Sequence, residues 1–162
     1  MARLLFTSRK FGSLADPVDE TERLKLAKLL NKQLQFMAQT HGNEIAVVDQ
    51  QGMTPSADGL VTANKDIALA VRVADCLPLL LLSKQAVAAV HVGRKGLLNQ
   101  VAVNAVKKMQ ELGASNITGV VGPHICGECY EVDPQMYADI TKLHPATGGK
   151  QNHLNLYAGL VE

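Results

Sequence analysis

The stretch ADCLPLLLLSKQAVAAVHVG at residues 74–93 determines the expected fold. Two near-continuous apolar runs, PLLLLS and AVAAVHV, flank a polar Lys-Gln pair, which is typical of a hairpin of strands buried on both faces. Antiparallel pairing around that turn sets residue 78 opposite His91 and returns His91 to the end where Cys76 lies. Opposed side chains lie about 5 Å apart and diagonal ones about 7 to 8 Å apart. The hairpin therefore predicts that the Cys76 thiol and the His91 imidazole are neighbours.

Hydrophobic patterning predicts further strands and helices around this hairpin. Strands are expected at LLFTSR (residues 4–9), EIAVVD, ADGLVT, ALAVRVADC and ITGVVG. Helices are expected in PVDETERLKLAKLLNKQL with Asp19 as N-cap, over about 97–112, and through MYADITKL after the capping pair Asp133 and Pro134. Strands mixed with a few helices predict an α/β (α+β) fold, a layered mixed β-sheet flanked by helices.

Length and composition indicate a folded domain and exclude several classes of partner. The 162 residues suit a single domain over residues 1–162. Lys plus Arg number 16 against 15 for Asp plus Glu, without a dense basic block, so we expect no nucleic-acid and no membrane partner. The first residues lack the apolar core of a signal peptide, which favours a cytoplasmic protein. Its three cysteines cannot all pair, which favours free thiols.

Two kinds of chemistry use a neighbouring cysteine and histidine. A thiolate and a neutral imidazole are zinc ligands, and a histidine can also activate a cysteine nucleophile. His41 is the candidate for a third ligand, because it precedes a strand and has a glycine beside it. The structural alternative stays open at this point. A cysteine beside LPLLLL is commonly a small buried hydrophobe, and a histidine that ends an apolar strand is commonly just hydrogen-bonded.

Longer blocks of sequence carry a resemblance to a known family. THGNEIAVV, SADGLVT, VRVADCLPLLLL, VAAVHVGRKG and GPHICGECYEV follow one another between roughly residues 37 and 133. With FTSRKFG near the N-terminus, and with ADCxP followed by HxGxxG, they resemble the multicopper polyphenol oxidase (laccase-domain) family. Its bacterial members are described as purine nucleoside phosphorylases with adenosine deaminase activity. The resemblance implies a laccase-domain fold of the cysteine-hydrolase type.

The resemblance also implies a site and a substrate. His41, Cys76 and His91 are expected to hold zinc, with copper as the alternative metal, and to be the catalytic centre. The expected substrates are small molecules, a purine nucleoside and phosphate, and a homo-oligomer is compatible with the family. Arg9 and Arg94 are candidates to bind phosphate, because that anion needs cationic donors. Asp75 is a candidate to support a ligand or to act as an acid or base.

This chain departs from the family pattern at several places. HVGRKG stands where the family usually has HAGWRG, so a tryptophan is lost and an arginine moves by one position. The chain is also expected to be a shortened member, both in its N-terminal region and at its C-terminus. Three rival functions follow: a metal-free cysteine hydrolase with Cys76 as nucleophile and His91 as base, a non-catalytic family member, and laccase-type phenol oxidation. Oxidation is the weakest rival, because one Cys/His/His cluster lacks the several copper sites needed to reduce oxygen by four electrons.

A second motif, Cys126-Gly127-Glu128-Cys129, lies beside His124. A structural zinc site or a redox dithiol could contain such a CxxC. A zinc half-site needs further ligands, however, and no thioredoxin-like context precedes this motif. The family resemblance implies instead that this loop forms a wall of the substrate pocket.

Overall fold

The computed structural model describes residues 3–15 and 20–162. Within these ranges the strands are β1 Gln33–Gln35, β2 Ile45–Val47, β3 Gly59–Thr62, β4 Ile67–Leu69, β5 Leu77–Leu82, β6 Val87–Val92 and β7 Thr118–Val121. A five-stranded sheet has the order β2-β3-β6-β5-β7, and β1 pairs with β4 in a separate two-stranded sheet. Strands β2 and β3 are parallel, while the other pairs of the larger sheet are antiparallel. The predicted mixed sheet is confirmed.

The hairpin of β5 and β6 lies at the centre of this sheet. Its register pairs Pro78 with His91, as the sequence predicts. The turn is closed by Ser83, whose backbone N–H donates to the Ala86 carbonyl and whose hydroxyl bonds to Ala86 again. The hairpin therefore carries Cys76, which immediately precedes β5, to the end of the sheet where His91 lies.

Helices pack against the two sheets and bury apolar side chains of both. They are α1 Glu20–Leu30, α2 Arg94–Leu98, α3 Val101–Glu111, α4 Pro134–Leu143 and α5 Leu156–Val161, with short 3-10 turns at Arg9–Phe11 and Pro145–Thr147. Helix α3 buries Val101, Ala105 and Met109, which are spaced four residues apart on one helical face. They join the alternate residues of β5 and β6 in the main core. Helix α4 begins as predicted, because the Asp133 carboxylate accepts the Met136 N–H at 2.9 Å.

Two of the predicted strands differ from the structure. Residues 4–8 form no strand in the described chain, and Leu4, Leu5 and Phe6 are exposed. The strand expected over residues 68–76 ends at Leu69. The Gln39 side chain then bonds both the N–H and the carbonyl of Arg72, so an amide side chain replaces the neighbouring strand. The apolar content of these two segments favoured strands, but it did not show that they lack neighbouring strands to pair with in the described chain.

Two of the predicted helices are shorter than expected. Helix α1 stops at Leu30 because Asn31 has the left-handed backbone that ends helices, with φ at 49°. The following residues enter β1. Helix formation over 97–112 is interrupted at Asn99 and Gln100, where Gln100 has φ at 60°, so α2 and α3 are separate. The predicted N-cap Asp19 lies outside the described residues.

No helix in the described part of the chain is long and apolar enough to cross a membrane. The assignment of residues 1–162 to one domain stays a prediction.

Candidate metal centre

His91 is held in the sheet by Asp58, which directly precedes β3 and lies opposite His91 in the β3–β6 pair. Its backbone N–H donates to the Asp58 carbonyl at 2.7 Å, and its Nδ1 lies 2.8 Å from Asp58 Oδ1. Both side chains are buried, at 3% and 0% exposure. An ionised carboxylate only accepts, so Nδ1 carries the hydrogen, and in the neutral imidazole Nε2 keeps its lone pair. This arrangement presents His91 as a ligand through Nε2.

Asp58 also fixes the loop that carries His41. Its carboxylate accepts the backbone N–H groups of Thr40, His41 and Gly42 at 3.1, 2.9 and 2.7 Å, and the Thr40 hydroxyl at 2.8 Å. His41 has the left-handed backbone, with φ at 60°, which a non-glycine residue adopts only when its surroundings hold it there. One carboxylate therefore fixes the His91 imidazole and the backbone that carries His41.

The pKa of Asp58 reflects these bonds. Burial alone raises it, but the hydrogen bond with His91 and those from Gly42 and Thr40 together outweigh burial and hold the pKa below its ordinary value. The carboxylate is therefore ionised at neutral pH, as its role of acceptor requires.

Cys76 lies in the loop just before β5 and is half-buried. That loop is tied down by a hydrogen bond from the Ile125 N–H to the Asp75 carbonyl at 2.9 Å. Burial raises the pKa of the Cys76 thiol, and the negative charges of Asp75 and Asp58 raise it further. The same negative charges favour a cation beside the sulfur.

The three side chains converge. One ligand atom from each of His41, Cys76 and His91 can be chosen so that all lie within 4.8 Å of one another. The two imidazole rings are 4.7 Å apart and nearly perpendicular. Ligands on a tetrahedral zinc are about 3.3 to 3.8 Å apart, given bond lengths of about 2.0 to 2.3 Å. Two imidazoles and one thiolate fit zinc in number, type and approximate spacing, and leave a fourth position open, as in catalytic zinc sites.

Gly93 keeps this centre open. A Cβ at Gly93 would lie 3.1 Å from Cys76 Sγ and 3.1 Å from His41 Cδ2, closer than nine in ten real Cβ contacts. Its φ of −83° is ordinary for any residue, so the requirement for glycine comes from space alone. The glycine that follows His91 by two residues is therefore part of the site.

The other predicted site residues lie at different distances from this centre. Asp75 is adjacent to Cys76 and exposed, and Arg94 follows Gly93 as the first residue of α2 and is half-buried. Arg9 is exposed in a 3-10 turn. It borders a groove lined in part by the hairpin, and neither His41, Cys76 nor His91 lines that groove. Asp75 and Arg94 are thus next in sequence to Cys76 and Gly93, whereas Arg9 lies on a groove that the cluster does not line.

Among the described residues, His41, Cys76 and His91 form the one group of at least three metal-ligating side chains close enough to share an ion. Cys126 and Cys129 lie together but form no such group with His124.

Asp58 is the functional residue that the sequence analysis missed. A signal was present, because an aspartate next to a glycine opens the apolar strand GLVT. A charged residue at such a place must be paired if it is buried. Burial and partner became visible only once β3 and β6 were aligned.

Comparison with known proteins assigns this fold and cluster to a family. The sequence model described as multi-copper polyphenol oxidoreductase laccase matches residues 9–161, almost the whole chain. The chain belongs to this laccase family. The laccase-family fold is also found in solved structures: Neisseria meningitidis protein NMB0706 has a TM-score of 0.77 at 25% identity, over 91% of this chain and 64% of that one. YlmD from Geobacillus stearothermophilus has a TM-score of 0.68 at 27% identity, over 85% and 58% of the two chains.

Two curated laccase-family relatives carry the name purine nucleoside phosphorylase. The protein of Streptomyces coelicolor is 41% identical over 77% of this chain and 56% of its own length. The protein of Rickettsia conorii is 35% identical over 81% and 58%. This laccase-family chain therefore spans little more than half the length of these relatives.

Proposed function

We propose that the chain is a zinc-dependent purine nucleoside phosphorylase that also deaminates adenosine, with His41, Cys76 and His91 as metal ligands. The observation that carries this proposal is the Asp58 carboxylate, which holds the His91 tautomer and the His41 backbone at once. A cysteine that is only packed in the core and a histidine that is only hydrogen-bonded would not require a carboxylate that fixes two segments at once. The relatives named purine nucleoside phosphorylase supply the substrate class. Copper is the alternative metal.

When bound, zinc supplies Lewis-acid chemistry: it polarises an oxygen and makes water acidic enough to act as a nucleophile near neutral pH. The chain's own residues supply position and charge. Asp58 orients the His91 imidazole and holds the His41 backbone, and Gly93 leaves the space in which a small molecule can approach them. Arg94, which directly follows Gly93, offers a guanidinium to phosphate. Asp75 is placed to exchange a proton with solvent beside Cys76. Arg9 stays a weaker candidate because His41, Cys76 and His91 do not line the groove that it borders.

The proposed enzyme is cytoplasmic, and its substrates are small molecules. In phosphorolysis, phosphate attacks C1′ of the nucleoside and the purine leaves; in deamination, water replaces the amino group at C6 of adenosine.

A metal-free cysteine hydrolase is the second candidate, and one observation favours it. Asp58, His91 and Cys76 have the order of an acid, a base and a nucleophile, so Asp58 could orient His91 to activate the thiol. That function gives His41 no part in catalysis. It also demands a reactive thiolate at Cys76, where two negative charges oppose it.

The test is product analysis with adenosine, in the presence and absence of phosphate. The proposal predicts adenine and ribose 1-phosphate only with phosphate, and inosine in both conditions. Cys76→Ala and His41→Ala are both expected to abolish all products, while Cys126→Ala serves as a matched thiol control that retains them. Inactivity of the wild-type protein loaded with zinc would refute the activity. A hydrolytic activity that survives both chelation and His41→Ala would establish the cysteine hydrolase instead.

A further inference from the structure

Cys126 and Cys129 form a pair of exposed thiols that the metal centre does not use. Their Sγ atoms lie 3.1 Å apart, and both residues are free cysteines. The chain between them makes one tight turn, in which the N–H groups of Cys129 and Tyr130 both donate to the Cys126 carbonyl, at 3.0 and 3.2 Å. A disulfide bond is about 2.05 Å long. Bringing the sulfurs into bonding distance therefore requires a movement of only about 1 Å.

The turn is fixed to the rest of the protein on both sides. Before it, the Ile125 N–H donates to the Asp75 carbonyl at 2.9 Å; after it, the Tyr130 carbonyl accepts the Leu154 N–H at 3.0 Å. In the middle, Gly127 packs so closely on Asn155 that a Cβ there would lie 2.8 Å from the Asn155 Cβ. The two thiols are thus presented to solvent from an anchored backbone rather than from a loose loop.

We infer that Cys126 and Cys129 are a thiol–disulfide exchange site, at which a low-molecular-weight disulfide oxidises the pair to a reversible intramolecular disulfide. This inference goes beyond the proposed function and does not depend on it, because neither sulfur belongs to the metal centre. It also assigns chemistry to a loop that the family resemblance implies is a wall of the substrate pocket.

The exchange proceeds in two balanced steps. The Cys126 thiolate attacks one sulfur of a disulfide RSSR, forms a mixed disulfide with it and releases RS⁻. Cys129 then loses its proton to solvent, and its sulfur attacks Cys126 Sγ, which forms the Cys126–Cys129 bond and releases the second RS⁻. Each RS⁻ takes a proton from water. The protein thus loses two hydrogen atoms, and RSSR is reduced to two RSH molecules.

The surroundings indicate which sulfur attacks first. The neighbouring Cys129 thiol, and next the backbone N–H of Glu128, stabilise a thiolate on Cys126 and lower its pKa. Interaction with Cys126 raises the pKa of Cys129 in return. Cys129 therefore suits the role of resolving thiol. Lys150, whose ammonium reaches the Glu128 carbonyl at 3.5 Å, adds positive charge beside the pair, whereas Cys76 is half-buried between negative charges.

The experiment is incubation of the reduced full-length chain with oxidised glutathione, followed by intact-mass measurement and non-reducing peptide mapping. The wild-type chain is expected to lose two hydrogen atoms, with Cys126 linked to Cys129, and dithiothreitol should reverse this. Cys129→Ser is expected to stop at a glutathione adduct on Cys126. Cys126→Ser should react several-fold more slowly.

Both substituted positions are exposed, so the serine variants should fold normally; circular dichroism checks this. The inference is overturned if the wild-type chain retains both thiols at glutathione ratios that oxidise a dithiol reference peptide of the same CGEC sequence. It is equally overturned if Cys76 is oxidised before the pair, or if Cys129→Ser yields no adduct on Cys126.

Discussion

Asp58 and His91 face each other across β3 and β6, with Asp58 Oδ1 2.8 Å from His91 Nδ1 and both side chains out of contact with solvent. The same carboxylate accepts the N–H of His41 at 2.9 Å. A metal centre assembled from three separate segments thus depends on one residue that is not itself a ligand. Partners of this kind orient the imidazole and keep its tautomer fixed.

Replacing Asp58 by asparagine is therefore expected to weaken zinc binding by about 10- to 100-fold. The amide keeps the shape of the side chain but loses the charge and the second acceptor oxygen, so the His91 tautomer and the loop of Thr40 to Gly42 lose their common partner. Zinc affinity is measured by competition with a chromophoric chelator. Asp49→Asn, at an exposed position after β2, is the matched control. Equal affinities of the two variants would show that Asp58 does not position the ligands.

Gly93→Ala tests the space within the centre. The added methyl group would contact Cys76 Sγ and His41 Cδ2 at 3.1 Å, so at least one ligand must move. We expect zinc affinity to fall by about tenfold or more, with the far-ultraviolet circular dichroism spectrum unchanged. Gly52→Ala is the control, because a Cβ there meets no atom within 4 Å. A Gly93→Ala protein that binds zinc like the control would mean that the cluster is wider than the structure shows.

The hairpin, and the proximity of Cys76 to His91, could be predicted from the sequence. Two apolar runs around a short polar turn permit few registers, and the register that pairs residue 78 with His91 is the one observed. Strands β2, β3 and β7 and the cap of α4 were predicted for similarly local reasons. Local patterns succeed where hydrophobic alternation and turn chemistry agree with the tertiary fold.

The role of Asp58 and the true extent of several elements depend on contacts between distant segments. Asp58 meets His91 across 33 positions of sequence. The Gln39 amide that ends β4 lies 33 positions from Arg72. Residues 4–9 have the composition of a strand. A strand also needs a partner to pair with, and none pairs with these residues in the described chain. His41 was predicted as a ligand through the family resemblance, since spacing alone could not locate it.

The break between α2 and α3 gives a stability test. Gln100 has φ at 60°, where a side chain costs about 1 to 2 kcal/mol and glycine is tolerated. Gln100→Gly is therefore expected to raise the free energy of unfolding by about 0.5 to 1 kcal/mol. Gln110→Gly, near the end of α3, should lower it by up to about 1 kcal/mol. Urea denaturation measures both, and destabilisation by Gln100→Gly would contradict the left-handed backbone.

The exposed thiols give a prediction about pH. The Cys129 thiol is the main reason that the pKa of Cys126 lies below its ordinary value. Cys129→Ala removes that stabilisation of the thiolate, so the pKa of Cys126 should rise and less thiolate should be present at neutral pH. Alkylation of Cys126 by iodoacetamide, followed by mass spectrometry from pH 6 to 10, should shift to higher pH in the variant. An unchanged profile would show that the two sulfurs do not interact.

The central claim is that His41, Cys76 and His91 together hold a zinc ion. The most direct test is the metal content of protein purified without chelators, for the wild type, His41→Ala, Cys76→Ala and the thiol control Cys126→Ala. The account predicts about one zinc per chain in the wild type and the control, and none retained by the other two variants. Wild-type protein without bound zinc or copper after incubation with either metal, or zinc that persists in both ligand variants, would contradict it.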